Sequence, residues 1–191
     1  MGASMKNIET STRVLREEHH LIEDATVAIA EVIKELEKGT SLDRRRVVEI
    51  AQSFATFVGR CHHPKEDFLL SMIRTRCGCT GEYPVRTFYE EHHRVELLLA
   101  GLSKTAKEYT EAVHGNSGPL VQCFVDVVDF YPGHMWKADH ILFPLADELL
   151  SELDQEVLIQ QFAWIDSAVG SGADEQLRAI VAEFHPRSTI A

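Results

Sequence analysis

No stretch of this 191-residue chain approaches the roughly 20 consecutive apolar residues of a membrane-spanning helix, which argues against an integral helical membrane protein. The polar start, Met1 to Thr12, lacks the apolar core of a secretory signal, so the cytoplasm is the expected location. Cysteine is scarce, and the four present (Cys61, Cys77, Cys79 and Cys123) are expected to be reduced thiols rather than a disulfide framework. Cys77-Gly78-Cys79 has a second, weaker reading as a redox or metal clip. Positive charge is also short. With 19 Lys and Arg against 30 Asp and Glu the net charge is −11, spread along the chain, and neither nucleic acid nor an anionic membrane is an expected partner. A chain of this length fits one domain that can bury a sizeable core unaided.

What the chain does have is histidine beside carboxylate, in a pattern that occurs twice. Glu17-Glu18-His19-His20 is followed by His62-His63-Pro64-Lys65-Glu66-Asp67, and Glu90-Glu91-His92-His93 by His134-Met135-Trp136-Lys137-Ala138-Asp139. The internal distance is nearly conserved between the copies, 43 residues from His19 to His62 and 42 from His92 to His134. That distance is about two helices joined by a turn. Seven of the ten histidines lie in the repeat.

The apolar periodicity is helical throughout. Leu15, His19, Ile22, Thr26, Ile29, Ile33 and Leu36 form one stripe. Gly39 ends that segment, and Ser41 or Asp43 can cap the next, where Val47, Phe54, Val58, His62, Glu66, Leu69 and Ile73 share a face. A breaker-rich loop, Arg76 to Pro84, precedes a third stripe of Phe88, His92, Val95, Leu99, Leu102, Ala106, Tyr109 and Val113. After Gly115 to Pro119 the fourth carries Leu120, Phe124, Val127, Tyr131, His134, Ala138, Ile141 and Leu145. Each stripe holds one histidine. His20, His63 and His93 are turned about 100° from those stripes and are expected at the surface or behind the ligands, as is Asp67. His114, His140 and His185 are expected to be structural or exposed.

Four such helices are most simply packed up-down-up-down in an all-α bundle, which brings His19, His62, His92 and His134 into one layer. The expected organisation is a flexible N-terminus (1–12), a bundle (13–150) and a C-terminal extension (151–191). The extension reads as two short helices, about Ser151 to Ala168 and Asp174 to Phe184, covering an outer face or meeting a partner. The buried layer asks for a metal, since four histidines beside carboxylates would otherwise leave polar groups unpaired. Glu23, Glu66 and Glu96 each stand four residues after a stripe histidine and can reach the same ion. Ala138 breaks this rule in the fourth helix. Asp139, five residues after His134, can bind only if the helix is locally distorted, and Pro132 supplies a cause. The imidazole and carboxylate donors suit iron, with manganese second, and lack the thiolates of structural zinc.

His-His-x-Lys-Glu-Asp and His-x-x-Lys-x-Asp, each after a Glu-His opening, resemble the hemerythrin-like (HHE cation-binding) family of non-haem di-iron four-helix bundles, over roughly Val14 to Leu150. The resemblance implies two iron ions with His19, His62, His92 and His134 as terminal ligands, bridged by Glu66, Asp139 and an oxo or hydroxo group. Oxygen-carrying hemerythrins have a fifth histidine four residues after the first on the third helix. Here that position is Glu96, with Glu23 its counterpart on the first helix. If both bind, each ion reaches six ligands, and reversible oxygen binding becomes the weaker expectation. The function expected is binding of, or reaction with, a small molecule (oxygen, nitric oxide or peroxide), the last two as enzymatic turnover. The alternative is an iron-handling or redox- or oxygen-sensing module without turnover, with a redox or protein partner. Tyr131, one turn before His134, either lines the metal pocket or is a core tyrosine bonded elsewhere.

Overall fold

The computed structural model describes residues 10–39, 42–78, 83–111, 116–170 and 172–184. Among them there are helices and short connections and no strand. The first helix, α1 (Ser11–Glu37), starts where the Thr10 side chain accepts a hydrogen bond from the Arg13 N–H. It therefore includes Ser11 and Thr12, which the expected boundary left in the N-terminal tail; both are buried, and Ser11 donates to Gln155 and Thr12 to Asp147. Residues 1–9 of that tail lie outside the described residues. The second rod is α2 (Arg44–Thr56), a π-helical turn Phe57–His62 and α3 (His63–Cys77), opened by Asp43 as cap. Ser41, the other candidate cap, lies outside the described residues. Gly78 ends the rod in the left-handed region, where a side chain would be strained.

The third rod is α4 (Val85–Glu111). The fourth is α5 (Gly118–Lys137), a second π turn Ala138–Leu142 and α6 (Phe143–Leu149). Then follow α7 (Glu152–Val169), closed at its start by a Ser151–Asp154 capping box, and α8 (Ala173–Phe184). Helix α1 packs on α5, α2 on α4 and α4 on α5, while α7 lies against α3 and α8 against α1 and α2.

The two π turns share a local cause. Each ends two residues before a proline, Pro64 or Pro144, and each closes with an N–H reaching back five residues, His63 to Val58 and Phe143 to Ala138. A proline has no N–H to give and its ring crowds the carbonyl four residues back, so the wider turn relieves the clash. Pro132, the expected cause of a distortion, sits inside α5 instead. The extra residue shifts the buried register. Beyond Ala138 the core positions are Leu142, Phe143 and Ala146, whereas Ile141 and Leu145, expected in the stripe, are only half-buried.

Elsewhere the stripes are buried as their periodicity requires, apart from Leu36, which is partly buried, and Val113, outside the described residues. Two apolar clusters result. One holds Ile22, Phe54, Val58, Val95, Phe124 and Tyr131; the other holds Leu15, Leu69, Phe88, Ala138 and Phe143. In each rod the inward histidines fall between residues of the two clusters, so one polar layer separates them. Cys61 and Cys123 are free thiols as expected, but Cys77 is disulfide-bonded, which corrects the reading of four reduced cysteines. Cys79, His114 and His185 lie outside the described residues.

Candidate metal centre

The Glu66 carboxylate, fully buried, is the hub of the layer. Its Oε2 lies 3.0 Å from His92 Nε2, 3.2 Å from His134 Nε2 and 3.7 Å from His62 Nε2, and its Oε1 is 3.5 Å from His19 Nε2. Two groups of donor atoms gather around it, each within 4.8 Å: His63, His92 and His134 with Glu66, and His19 and His62 with Glu66. Five imidazoles thus converge on one carboxylate, divided three and two.

Behind them a ring of carboxylates takes the opposite ring nitrogens. Glu18 lies 2.9 Å from His62 Nδ1, Glu91 3.0 Å from His134 Nδ1, Asp67 2.7 Å from His92 Nδ1 and Asp139 3.2 Å from His19 Nδ1. A carboxylate on Nδ1 sets the tautomer that leaves Nε2 free to donate its lone pair, the usual outer support of a metal-binding imidazole. This ring explains the sequence repeat. The Glu before the first histidine of each copy holds the second histidine, and the Lys three residues after that histidine (Lys65, Lys137) holds the Glu. The Asp five residues after it serves the other copy.

Burial and pairing act against each other throughout the layer. Burial would raise the Glu66 pKa, but His62, His134 and His19 outweigh it and hold the carboxyl well below its usual range. Burial also opposes protons on His19 and His92, yet their paired carboxylates, Asp139 or Asp67 together with Glu66, raise both to about 9. Burial lowers His62 and His134, and drives His63 well down with help from the neighbouring imidazoles. Buried atoms remain without a hydrogen-bond partner: Nε2 of His19, His62 and His63, Oε1 of Glu66 and the Tyr131 hydroxyl. Each such atom costs about 1–3 kcal/mol if nothing satisfies it.

Of the eight residues expected as ligands, five come together: His19, His62, Glu66, His92 and His134. Asp139 stands behind His19 instead of bridging, also bonded to Arg16 at 3.1 Å, with its side chain about a third exposed. The distortion it needed is present, but the π turn that turns Ala138 and Leu142 inward leaves Asp139 at the rim. Glu23 and Glu96 are not brought in. Both are exposed, and Glu96 faces His93 at 3.6 Å, because Ile22 and Thr26, and Val95 and Leu99, occupy the inward positions beside them. His63 corrects the sequence reading in the opposite sense. The π turn narrows the angle between consecutive residues, so His62 and His63 both face inward, with ring centroids 5.6 Å apart, and His63 stacks on His92 at 4.3 Å. Pro64, directly after His63, was the signal available. His20, His93 and His140 are exposed, and Asp67 stands behind a ligand position, as expected.

A helical domain whose core layer is five imidazoles around one buried carboxylate belongs to the class of helical proteins suited to holding metal cations. The chain is a member of the hemerythrin HHE cation binding domain family, whose pattern it matches over residues 10–146. No curated protein and no solved structure matches it. Helices α7 and α8 lie beyond the matched segment. No helix among the described residues is long and apolar enough to cross a membrane.

Proposed function

We propose that this protein is a non-haem di-iron protein that binds or reacts with oxygen, nitric oxide or peroxide, built as an up-down-up-down four-helix bundle (13–150) with a C-terminal helical extension packed on it (151–191). The observation that carries the reading is the set of unpaired buried atoms, Nε2 of His19, His62 and His63 and Oε1 of Glu66, on residues of two donor groups that share Glu66, while the Nδ1 atoms of His19 and His62 are held by carboxylates. Such a set fits two cations and fits little else at this burial. His63, His92 and His134 would hold one ion, His19 and His62 the other, with Glu66 shared. Iron bound there would supply electrons and an exchangeable position for a small ligand.

The chain's own residues set the rest. With Glu23 and Glu96 at the surface, the protein donors would leave both ions short of six ligands. The two-histidine side has the fewest protein donors, and Ala138 stands where the repeat would put a counterpart of Glu66. The Tyr131 hydroxyl is buried and unpartnered, and its ring lies 6.2 Å from those of His63 and His134; burial makes it a weaker acid than a free tyrosine. A cavity of about 350 Å³ lined by Gly59, His63, Asp67, His92, Glu96 and Leu99 borders the three-histidine side, a volume that exceeds that of a diatomic or peroxide.

The test is metal content and the near-ultraviolet spectrum of protein purified in air, followed by peroxide disproportionation and nitric oxide consumption. Two irons per chain with turnover supports the reading. Iron without turnover, but with a large metal-dependent gain in stability, selects the iron-handling or sensing alternative. One zinc per chain overturns both.

A further inference from the structure

We propose that the C-terminal helix α7, which lies outside the family segment, is a working part of the metal centre: through Asp166 and Phe162 it fixes Lys65 and thereby sets the donor strength of His62. The inference rests on the metal reading above and extends it to residues which that reading does not use.

The chain of contacts is short, enclosed from His62 to Lys65 and half-exposed at Asp166, its outer end. His62 Nδ1 is 2.9 Å from Glu18 Oε2; the other Glu18 oxygen is 2.5 Å from Lys65 Nζ; and Lys65 Nζ is 2.6 Å from Asp166 Oδ1 on α7. The Lys65 ammonium also lies 5.9 Å from the centre of the Phe162 ring, one turn before Asp166 on the same helix. Lys65 is only 2% exposed, and a lysine so enclosed must be paired to remain charged. Glu18 and Asp166 pair it. With its charge shared between two carboxylates, Lys65 draws less on Glu18, and Glu18 polarises His62 more strongly.

The second copy of the repeat is an internal control. Lys137 holds Glu91, which holds His134, but the Lys137 side chain is about a quarter exposed and bonds no second carboxylate among the described residues. The same three residue types are thus present twice, and only the copy under α7 is enclosed. The consequence is directional. Changes in α7 alter the ion held by His19 and His62 and leave the ion held by His63, His92 and His134 alone.

Lys65 and Asp166 are positioning residues, so the test needs a readout that loss of packing would not imitate. Stepwise titration of the full-length apo-protein with manganese(II), followed by calorimetry, resolves the two binding steps, and the apo melting temperature monitors the fold. Asp166→Asn is expected to weaken one step by about 10-fold, at the low end of the range for outer partners of metal ligands, and to spare the other. Asp166→Glu restores most of the loss, and Glu156→Gln, an exposed change on the same helix, has no effect. The proposal is overturned if Asp166→Asn leaves both steps unchanged, or weakens both equally with a lower apo melting temperature. His62→Ala separates the two levels of the argument. If it abolishes a step that Asp166→Asn does not touch, α7 has no role and the metal site stands; if it changes neither step, the metal reading itself fails.

Discussion

The two copies of the histidine repeat build the same outer frame and different interiors. Glu18, Lys65 and Asp67 correspond to Glu91, Lys137 and Asp139, and each set supports imidazoles through Nδ1 by the same geometry. Inside the frame the correspondence stops. Where one copy has His63 and Glu66, the other has Met135 and Ala138. The frame accounts for the shared spacing, and the departures from it concentrate donors on the second rod. A twofold scaffold therefore carries a one-sided site, with three imidazoles in one donor group, two in the other and one carboxylate shared between them.

The largest effect is expected from Glu66→Ala, which removes the one group common to both halves. Metal content should fall to background, a loss beyond the roughly 100-fold that outer partners can cause; retention of either ion would break the description of Glu66 as the hub. Next comes His63→Ala, against His93→Ala as an exposed control. The first should abolish or weaken by more than about 10-fold one binding step only, and the second should do nothing measurable by the same titration. Equal behaviour of the two variants would make His63 a core residue and the halves equivalent.

Glu18→Gln and Glu91→Gln probe the frame, and each should weaken a different step by about 10- to 100-fold. If both act on the same step, the assignment of one ion to each half is mistaken. Lys137→Gln should have the smallest effect, within about 1 kcal/mol, because its pair with Glu91 is partly open to solvent.

The electrostatics predict a pH dependence of the apo-protein with two opposing limbs. His19 and His92, raised to about 9, contribute stability that is complete below the ordinary histidine value of 6.5 and is lost as pH rises from there through 9. His62, His63 and His134, pushed down by burial, act in the other direction: they favour the folded state above 6.5 and weaken it as pH falls below. Thermal melting of metal-free protein should therefore be best near pH 6.5 and fall on both sides. Loading with metal should remove the upper limb, since ligation displaces the protons from His19 and His92.

Most of the helical frame could be read from periodicity alone, because a stripe of apolar residues at steps of three and four has one physical solution when it must be buried. The layer of His19, His62, His92 and His134 followed from the same register. What could not be read was any residue whose direction depends on a π turn. Regular-helix angles put His63 outside and kept Ile141 and Leu145 in the core; a single extra residue before Pro64 and before Pro144 reverses both. Glu23 and Glu96 failed for a different reason. Spacing of four residues permits a shared ligand, but only packing decides whether the side chain turns inward, and Thr26 and Leu99 take that space. The support from Asp166 was beyond reach of the sequence, since nothing in the spacing of residues 65 and 166 reports that they meet.

The most direct test is the metal content of the wild-type protein beside that of Glu66→Ala, both purified in air from cells supplied with iron. Two irons per chain in the wild type and none in the variant is the predicted result. A wild type without iron, or a Glu66→Ala variant that keeps either ion, would contradict the central claim.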